Sequence, residues 1–154
     1  ISRCDWSSDV CSSDLLTLKG GASLTFLGPA EDIPADRGND RSLITLFQTG
    51  SASVLLMGDA EEPAEQSLLR HHPGLRCDIL KVGHHGSDTS SSPAFLSALG
   101  AQTAIISCGT DNDYGHPAEQ TLTNLTLAGV RDIRMTAESG TVALPLIAYK
   151  ENAV

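Results

Sequence analysis

The sequence is poor in several residue types, and each shortage argues against a class of protein. Lys and Arg number 10 against 19 Asp and Glu in 154 residues, and no basic run occurs. We therefore expect no strong basic patch that would bind a nucleic-acid backbone by charge alone. No apolar run approaches the roughly 20 residues that a membrane-spanning helix needs, so a membrane link would come only through regions absent from this chain. The 40% hydrophobic content is enough for one globular core.

The first fifteen residues differ from the rest because they show neither a helical nor a strand period. The stretch from Asp5 to Leu15 resembles the conceptual translation of a common sequencing-adapter oligonucleotide. We interpret residues 1–15 as an adapter-derived artefact and exclude them from the fold; a disordered polar N-terminus is the alternative. Residues 16–148 are then one domain, and residues 149–154 are a tail.

Two cysteines lie in the assigned domain, and they predict no disulfide. Cys77 precedes an expected strand, whereas Cys108 ends the next one. If these strands run parallel, the thiols lie about 15 Å or more apart at ~3.3 Å per residue, which is too far for a bond. We expect both to be small buried side chains.

Apolar periods and turn residues predict an α/β fold in which strands come first and then alternate with helices. The expected hairpins join residues 16–19 to 23–27, 42–48 to 52–57, and 132–135 to 141–144. The expected helices cover residues 61–71, 93–99 and 117–128, and buried strands cover 78–83 and 103–108. The first helix is expected to open at Asp59 or Ala60.

Metal-binding side chains follow two of these strands directly. Asp59 comes after the strand that ends at Met57, and His84 and His85 follow the strand of residues 78–83. Strand ends are where α/β sheets usually build their sites, so Asp59, His84 and His85 are candidate metal ligands. Asp59 also suits a helix N-cap, which is the commoner role for such a residue. We favour His84 as the direct ligand, with His85 contacting substrate or supporting the ligands.

A third histidine follows the strand of residues 103–108. His116 stands in Tyr114-Gly115-His116-Pro117, after the loop that contains Asn112. It is a candidate to protonate a leaving group or to bind an anion. A capping role at the start of the following helix explains it equally well. The sequence has no Gly-rich phosphate loop, serine nucleophile elbow or CxxC pair.

From about Gly38 to Leu144 the chain resembles the metallo-β-lactamase-fold domain of ComEC-type DNA internalisation (competence) proteins. The matching stretches are 38–43, 55–60, 80–87, 90–93 and 112–117. The resemblance implies an αββα sandwich with two divalent metal ions, zinc or sometimes manganese, that hydrolyses esters or phosphodiesters. Asp59 would match the bridging aspartate, and His84 or His85 the late histidine ligand. Asp59, His85 and His116 are then the expected catalytic residues, with DNA or another phosphodiester as substrate.

One departure limits what this chain is expected to do. The principal metal motif of that family, His-x-His-x-Asp-His, is absent, because the five histidines are 71, 72, 84, 85 and 116. We expect the motif upstream of Leu16 in the native gene, so that residues 16–148 form a partial domain that binds metal poorly and hydrolyses nothing at a useful rate. If the protein is ComEC-like, the resemblance implies the extracytoplasmic face of a bacterial cytoplasmic membrane. A stand-alone hydrolase of another ester or a cell-wall phosphodiester, and a degenerate metal-free binding module, remain alternatives.

Overall fold

The computed structural model describes residues 15–146, which fold into seven strands and four α-helices. The strands are β1 (Leu15–Thr17), β2 (Ser23–Gly28), β3 (Ile44–Gln48), β4 (Ser53–Leu56), β5 (Ile79–Lys81), β6 (Thr103–Ile106) and β7 (Asp132–Met135). The helices are α1 (Glu62–His71), α2 (Pro93–Leu99), α3 (Glu119–Leu127) and α4 (Thr136–Ser139), and 3-10 turns cover Asn39–Arg41 and Gly83–Gly86. Residues 1–14 of the segment that we interpret as an artefact and the predicted tail of residues 149–154 lie outside the described residues. Leu15 itself begins β1.

All seven strands form one mixed sheet in which the spatial order follows the chain order. β1 to β4 pair antiparallel through short connections, whereas β4 to β7 pair parallel. A parallel connection needs a long crossover, and α1, α2 and α3 supply the three that this half of the sheet requires. The α/β prediction is thus confirmed, and the arrangement is compatible with an α/β sandwich.

The core lies between the sheet and the helices. Leu55, Leu80 and Ala104 stand side by side on β4, β5 and β6, and each is fully buried. They join a hydrophobic cluster with Phe95 of α2 and Leu125 of α3. Because α1 contacts α2 and α2 contacts α3, the helices form one layer over this face.

The opposite face of the sheet carries the alternate residues of the same strands. Leu56, Lys81 and Ile105 are neighbours there, and Val54 lies one pair away. Leu56 is 38% exposed, and the other three are partly buried. Apolar side chains that remain accessible on a sheet face favour association with another surface.

Several predicted elements are confirmed. The first two hairpins form, and α2 begins at Pro93 and ends before Gly100, whose φ of 65° closes the helix. Cys77 and Cys108 are free thiols, as expected. Burial raises the pKa of Cys77 to about 12, so that this thiol is an inert core residue.

The final hairpin is wrong. β7 pairs with β6 in parallel, Thr136–Ser139 form α4, and residues 141–146 contain no strand. The Thr136 hydroxyl donates to the carbonyl of Cys108 and accepts from its N–H, both at 2.9 Å. These bonds tie the start of α4 to the segment that follows β6, so the chain after β7 stays beside β6.

The start of α1 also differs from prediction. Glu61, not Asp59 or Ala60, is the N-cap residue, and its own side chain makes no capping bond. Asp40 instead reaches across from the 3-10 turn and accepts from the N–H groups of Glu61 and Ala64. This leaves the carboxylate of Asp59 available for other contacts.

Within the described residues, no helix is long and apolar enough to cross a bilayer.

Candidate metal site

Three turns meet at the C-terminal edge of the parallel strands. Gly58 and Asp59 follow β4, Gly83–Gly86 follow β5, and the loop of residues 109–116 follows β6. The N–H of His84 donates to the carbonyl of Gly58 at 3.0 Å, and the N–H of Ala118 donates to Gly86 at 2.9 Å. The three turns are therefore bonded to one another and form a single edge.

Close backbone packing explains why Gly83 precedes the histidines. A Cβ at Gly83 would lie 2.6 Å from the carbonyl oxygen of Ala60. Only glycine lets the turn after β5 approach the turn after β4 this closely. The sequence Val-Gly-His-His thus brings the histidines against the segment that contains Asp59.

Both histidines have left-handed backbone conformations. His84 has φ 45° and ψ 46°, and His85 has φ 56° and ψ 17°. Such conformations cost non-glycine residues about 1–3 kcal/mol each and cluster at functional sites. The two residues lie in the 3-10 turn after β5 and not in the strand itself. They nevertheless have different partners.

Buried hydroxyl groups hold this strained turn in place. Ser90 Oγ donates to the carbonyls of Gly83 and Ser87, and Thr121 Oγ1 of α3 donates to Ser87 at 2.8 Å. Glu65 of α1, which is 1% exposed, accepts from the N–H groups of Ser91 and Ser92. Burial raises the pKa of the Glu65 carboxyl.

His85 faces Asp59. Its Nδ1 lies 2.7 Å from the carbonyl oxygen of Ser107, and a carbonyl only accepts, so Nδ1 carries the proton. In the neutral ring Nε2 therefore has the lone pair, and it lies 3.4 Å from Asp59 Oδ1. Two acceptors at this distance require a proton or a cation between them. The tautomer and the distance fit His85 better than His84 as the partner of Asp59 in a metal site.

His84 instead contacts Glu61, a residue that sequence reasoning assigned only to the helix start. Its Nδ1 lies 3.0 Å from Glu61 Oε1, the oxygen that also accepts from Thr89 and Asn39. Burial pushes the pKa of Glu61 upward, but the bonds from Asn39 and Thr89 and the nearby His84 outweigh it, so the pKa is lowered. Glu61 is a carboxylate that orients His84. Glu61 lies two residues after Asp59, and this short spacing is the sequence feature that could have indicated a place at the same edge.

His116 completes a row of rings along the edge. Its ring centroid lies 5.7 Å from that of His84 and 5.8 Å from that of Tyr114. Asn112 fixes the loop by accepting from the N–H of His116 at 2.8 Å and donating to the carbonyls of His116 and Gly109. The Nδ1 atom of His116 is buried and has no hydrogen-bond partner in the described part of the chain.

The donors at this edge do not meet the full requirements of a metal ion. Asp59 and His85 supply two converging donors, whereas catalytic zinc sites have three protein ligands. Across residues 15–146 no group of three or more His, Cys, Asp or Glu side chains is placed to hold a metal ion. The residues present therefore fit part of a metal site and not a complete one.

The chain is similar in sequence to parts of several longer proteins. No protein-family model matches the chain. It is 37% identical to ComE operon protein 3 of Bacillus subtilis (strain 168) over 134 aligned residues. This alignment covers 87% of this chain and 17% of that protein. It is also 36% identical to Competence protein ComA of Neisseria gonorrhoeae over 115 aligned residues. This second alignment covers 74% of this chain and 16% of that protein.

A third relative, Recombination protein 2 of Haemophilus influenzae (strain ATCC 51907 / DSM 11121 / KW20 / Rd), is 44% identical over 79 residues, or 51% of this chain and 10% of that protein. The chain thus spans about a sixth of the length of the first two relatives. These similarities support a place for this chain in the family of competence proteins.

Proposed function

We propose that this chain is part of a metal-dependent hydrolase domain, a phosphodiesterase or nuclease that acts on DNA during uptake. The observation that carries the proposal is the approach of His85 Nε2 to Asp59 Oδ1 at 3.4 Å, with the proton of His85 fixed on Nδ1 by Ser107. The strained histidine turn and the names of the relatives support it. The site lies where a parallel sheet usually binds ligands.

Each side chain of the edge has a proposed role. Asp59 and His85 would hold a divalent ion, zinc or manganese, and Glu61 keeps His84 in orientation. In a complete domain, two such ions would supply a water of lowered pKa and positive charge for the phosphoryl group. His116 is the candidate to protonate the leaving oxygen, since its ring lies beside the His84 ring at this edge.

The acidic composition of the chain is compatible with a phosphodiester substrate if metal ions, and not Lys or Arg, attract the phosphate. By analogy with competence proteins, the complete domain would work at the extracytoplasmic face of the cytoplasmic membrane.

A metal-binding experiment on the purified chain tests the site. Equilibrium dialysis against MnCl2 or ZnCl2, followed by elemental analysis, should show weak binding that Asp59→Asn and His85→Gln both remove. His71→Gln is the matched control, because His71 lies at the end of α1 and contacts Asp32. Two tightly held ions per chain would show that the domain is complete, and binding that survives both substitutions would refute the Asp59–His85 site.

Activity is tested in the full-length protein of the native gene. We expect hydrolysis of a single-stranded oligonucleotide that requires added metal and that Asp59→Asn and His85→Gln abolish. A second candidate function, a metal-free binding module, is favoured by the presence of only two converging donors among the described residues. A full-length protein that retains no metal and cleaves no phosphodiester would establish that alternative.

A further inference from the structure

The most exposed aromatic ring of the described chain lies at the candidate site. Tyr114 is 83% exposed, although it belongs to the loop that carries His116. Its ring is stacked on the His116 ring with a centroid distance of 5.8 Å and an interplanar angle of 20°. One face of Tyr114 therefore has a planar support, and most of the remaining ring surface is accessible.

Hydrogen bonds hold the loop that carries this ring. Asn112 bonds the loop to itself through Gly109 and through both the N–H and the carbonyl of His116. The loop is also joined to the histidine turn, since Ala118 donates to Gly86. A loop that is ordered before binding loses less conformational freedom when a ligand covers its ring.

The ring also lies at a useful place relative to the donors. His116 is stacked on one side by Tyr114 and lies 5.7 Å from His84, and His84 shares its turn with His85. Tyr114 is therefore the outermost of a row of rings that leads to the Asp59–His85 pair. A ligand with a planar ring on one side of a phosphate would span this row.

The charges around the ring select which part of such a ligand it contacts. Asp111 and Asp113 precede Tyr114 in the same loop and are exposed. Their carboxylates repel a phosphate group, whereas a nucleobase offers a π face without charge. Stacking of bases on aromatic side chains needs no basic groove to supply its energy.

We propose that Tyr114, supported by His116, is a stacking platform for the nucleobase next to the phosphodiester bond at the candidate site. This inference rests on the proposed function and specifies its substrate as a nucleic acid whose base contacts the protein. The base lies on the open face of the Tyr114 ring, and its phosphate extends toward Asp59 and His85. The contact is tolerant of sequence, because every base has a face that can stack.

Nuclear magnetic resonance of the chain labelled with ring-13C tyrosine tests this contact. The sequence has two tyrosines, Tyr114 and Tyr149, so that the spectrum of Tyr114→Phe assigns both signals. The probes are thymidine 5′-monophosphate and 2-deoxyribose 5-phosphate, which differ by the base. We expect saturable upfield shifts of the Tyr114 signals with the first probe only, while the Tyr149 signals serve as the internal control.

Substitutions then separate stacking from a nonspecific effect. Binding of thymidine 5′-monophosphate, followed by backbone amide shifts of the loop, should weaken at least about fivefold in Tyr114→Ala, the low end for base stacking. Tyr114→Phe should retain it, because the ring remains. Leu127→Ala is the matched control, since Leu127 is an apolar residue 82% exposed at the far end of α3.

The outcomes distinguish this inference from the function on which it rests. Equal shifts with both probes, equal shifts of both tyrosines, or unchanged binding in Tyr114→Ala would each overturn the platform. If the full-length protein then still cleaves oligonucleotides through Asp59, the proposed function stands without it. Base-dependent binding in a full-length protein that cleaves no phosphodiester would support the platform as a base-binding site and refute the hydrolase.

Discussion

Replacement of Glu65 by Ala should strongly destabilise the chain, although Glu65 lies on the helical layer and not at the edge that carries the histidines. Its two carboxylate oxygens accept from the N–H groups of Ser91 and Ser92. Each buried N–H that loses its partner costs about 1–3 kcal/mol, so the two together cost about 2–6 kcal/mol. Removal of a desolvated carboxylate offsets part of this. We therefore expect a net loss of about 2 kcal/mol in the free energy of unfolding, a large share of a typical 5–15 kcal/mol.

Urea unfolding followed by circular dichroism measures this loss at neutral pH. Glu62→Ala is the matched control, because Glu62 lies on the same helix, is exposed, and accepts a hydrogen bond from the exposed Gln66 side chain. We expect the control to change stability by less than about 0.5 kcal/mol. Equal effects of the two substitutions would refute the role that we assign to the buried carboxylate.

The pH dependence of Glu65 provides a second test of the same reasoning. Burial raises its pKa in the folded state above the reference value of 4.5, so the folded chain binds this proton more tightly than the unfolded chain. The resulting stabilisation is present below the unfolded pKa and is lost as pH rises through the folded pKa. Glu65→Gln should remove this downward step from the pH profile of stability, and a profile that keeps the step would assign it to another group.

Three further predictions concern the edge and the open sheet face. Gly83→Ala should cost about 1–3 kcal/mol in urea unfolding, because the new Cβ would meet the carbonyl of Ala60, while Gly38→Ala, which meets nothing, should be nearly neutral. Glu61→Gln should make the stability of the fold less sensitive to acid. The lowered pKa of Glu61 stabilises the folded chain above pH 4.5, and this contribution is lost as pH falls through the folded pKa. Urea unfolding at a series of acidic pH values measures it, and an unchanged loss of stability in acid would contradict the Glu61 contacts. Leu56→Lys should reduce self-association in analytical ultracentrifugation, since Leu56 is 38% exposed on the open face; a wild-type chain that is already a monodisperse monomer would count against that expectation.

Local patterns predicted much of the fold because they are also what determines it. The helix from Pro93 to Leu99 has its start and stop residues in the sequence, and the structure uses both. The final hairpin had an equally good local signal, but β7 found its partner in β6, which comes from earlier in the chain. A turn sequence states that two segments are able to pair and says nothing of a competing neighbour in the folded protein.

The candidate site was only partly predictable for a related reason. Strand ends indicated Asp59, His84 and His85, and the edge does bring Asp59 to within 3.4 Å of an imidazole nitrogen. The two histidines contact different carboxylates because of their backbone angles and because the carbonyl of Ser107 orients His85. Neither feature can be read from composition or residue spacing. Glu61 was overlooked because an acid in the first turn of a helix needs no other explanation.

The order of the sheet has a consequence for how the chain reaches this structure. Every strand pairs with the strand that precedes it in the sequence, so each newly synthesised strand finds its template already present at the growing margin. Pairings between neighbouring segments close smaller loops and favour rapid folding. The sheet is therefore suited to folding strand by strand from the N-terminus during translation. The three turns that carry Asp59, the histidine pair and His116 would then form in the order in which they are synthesised.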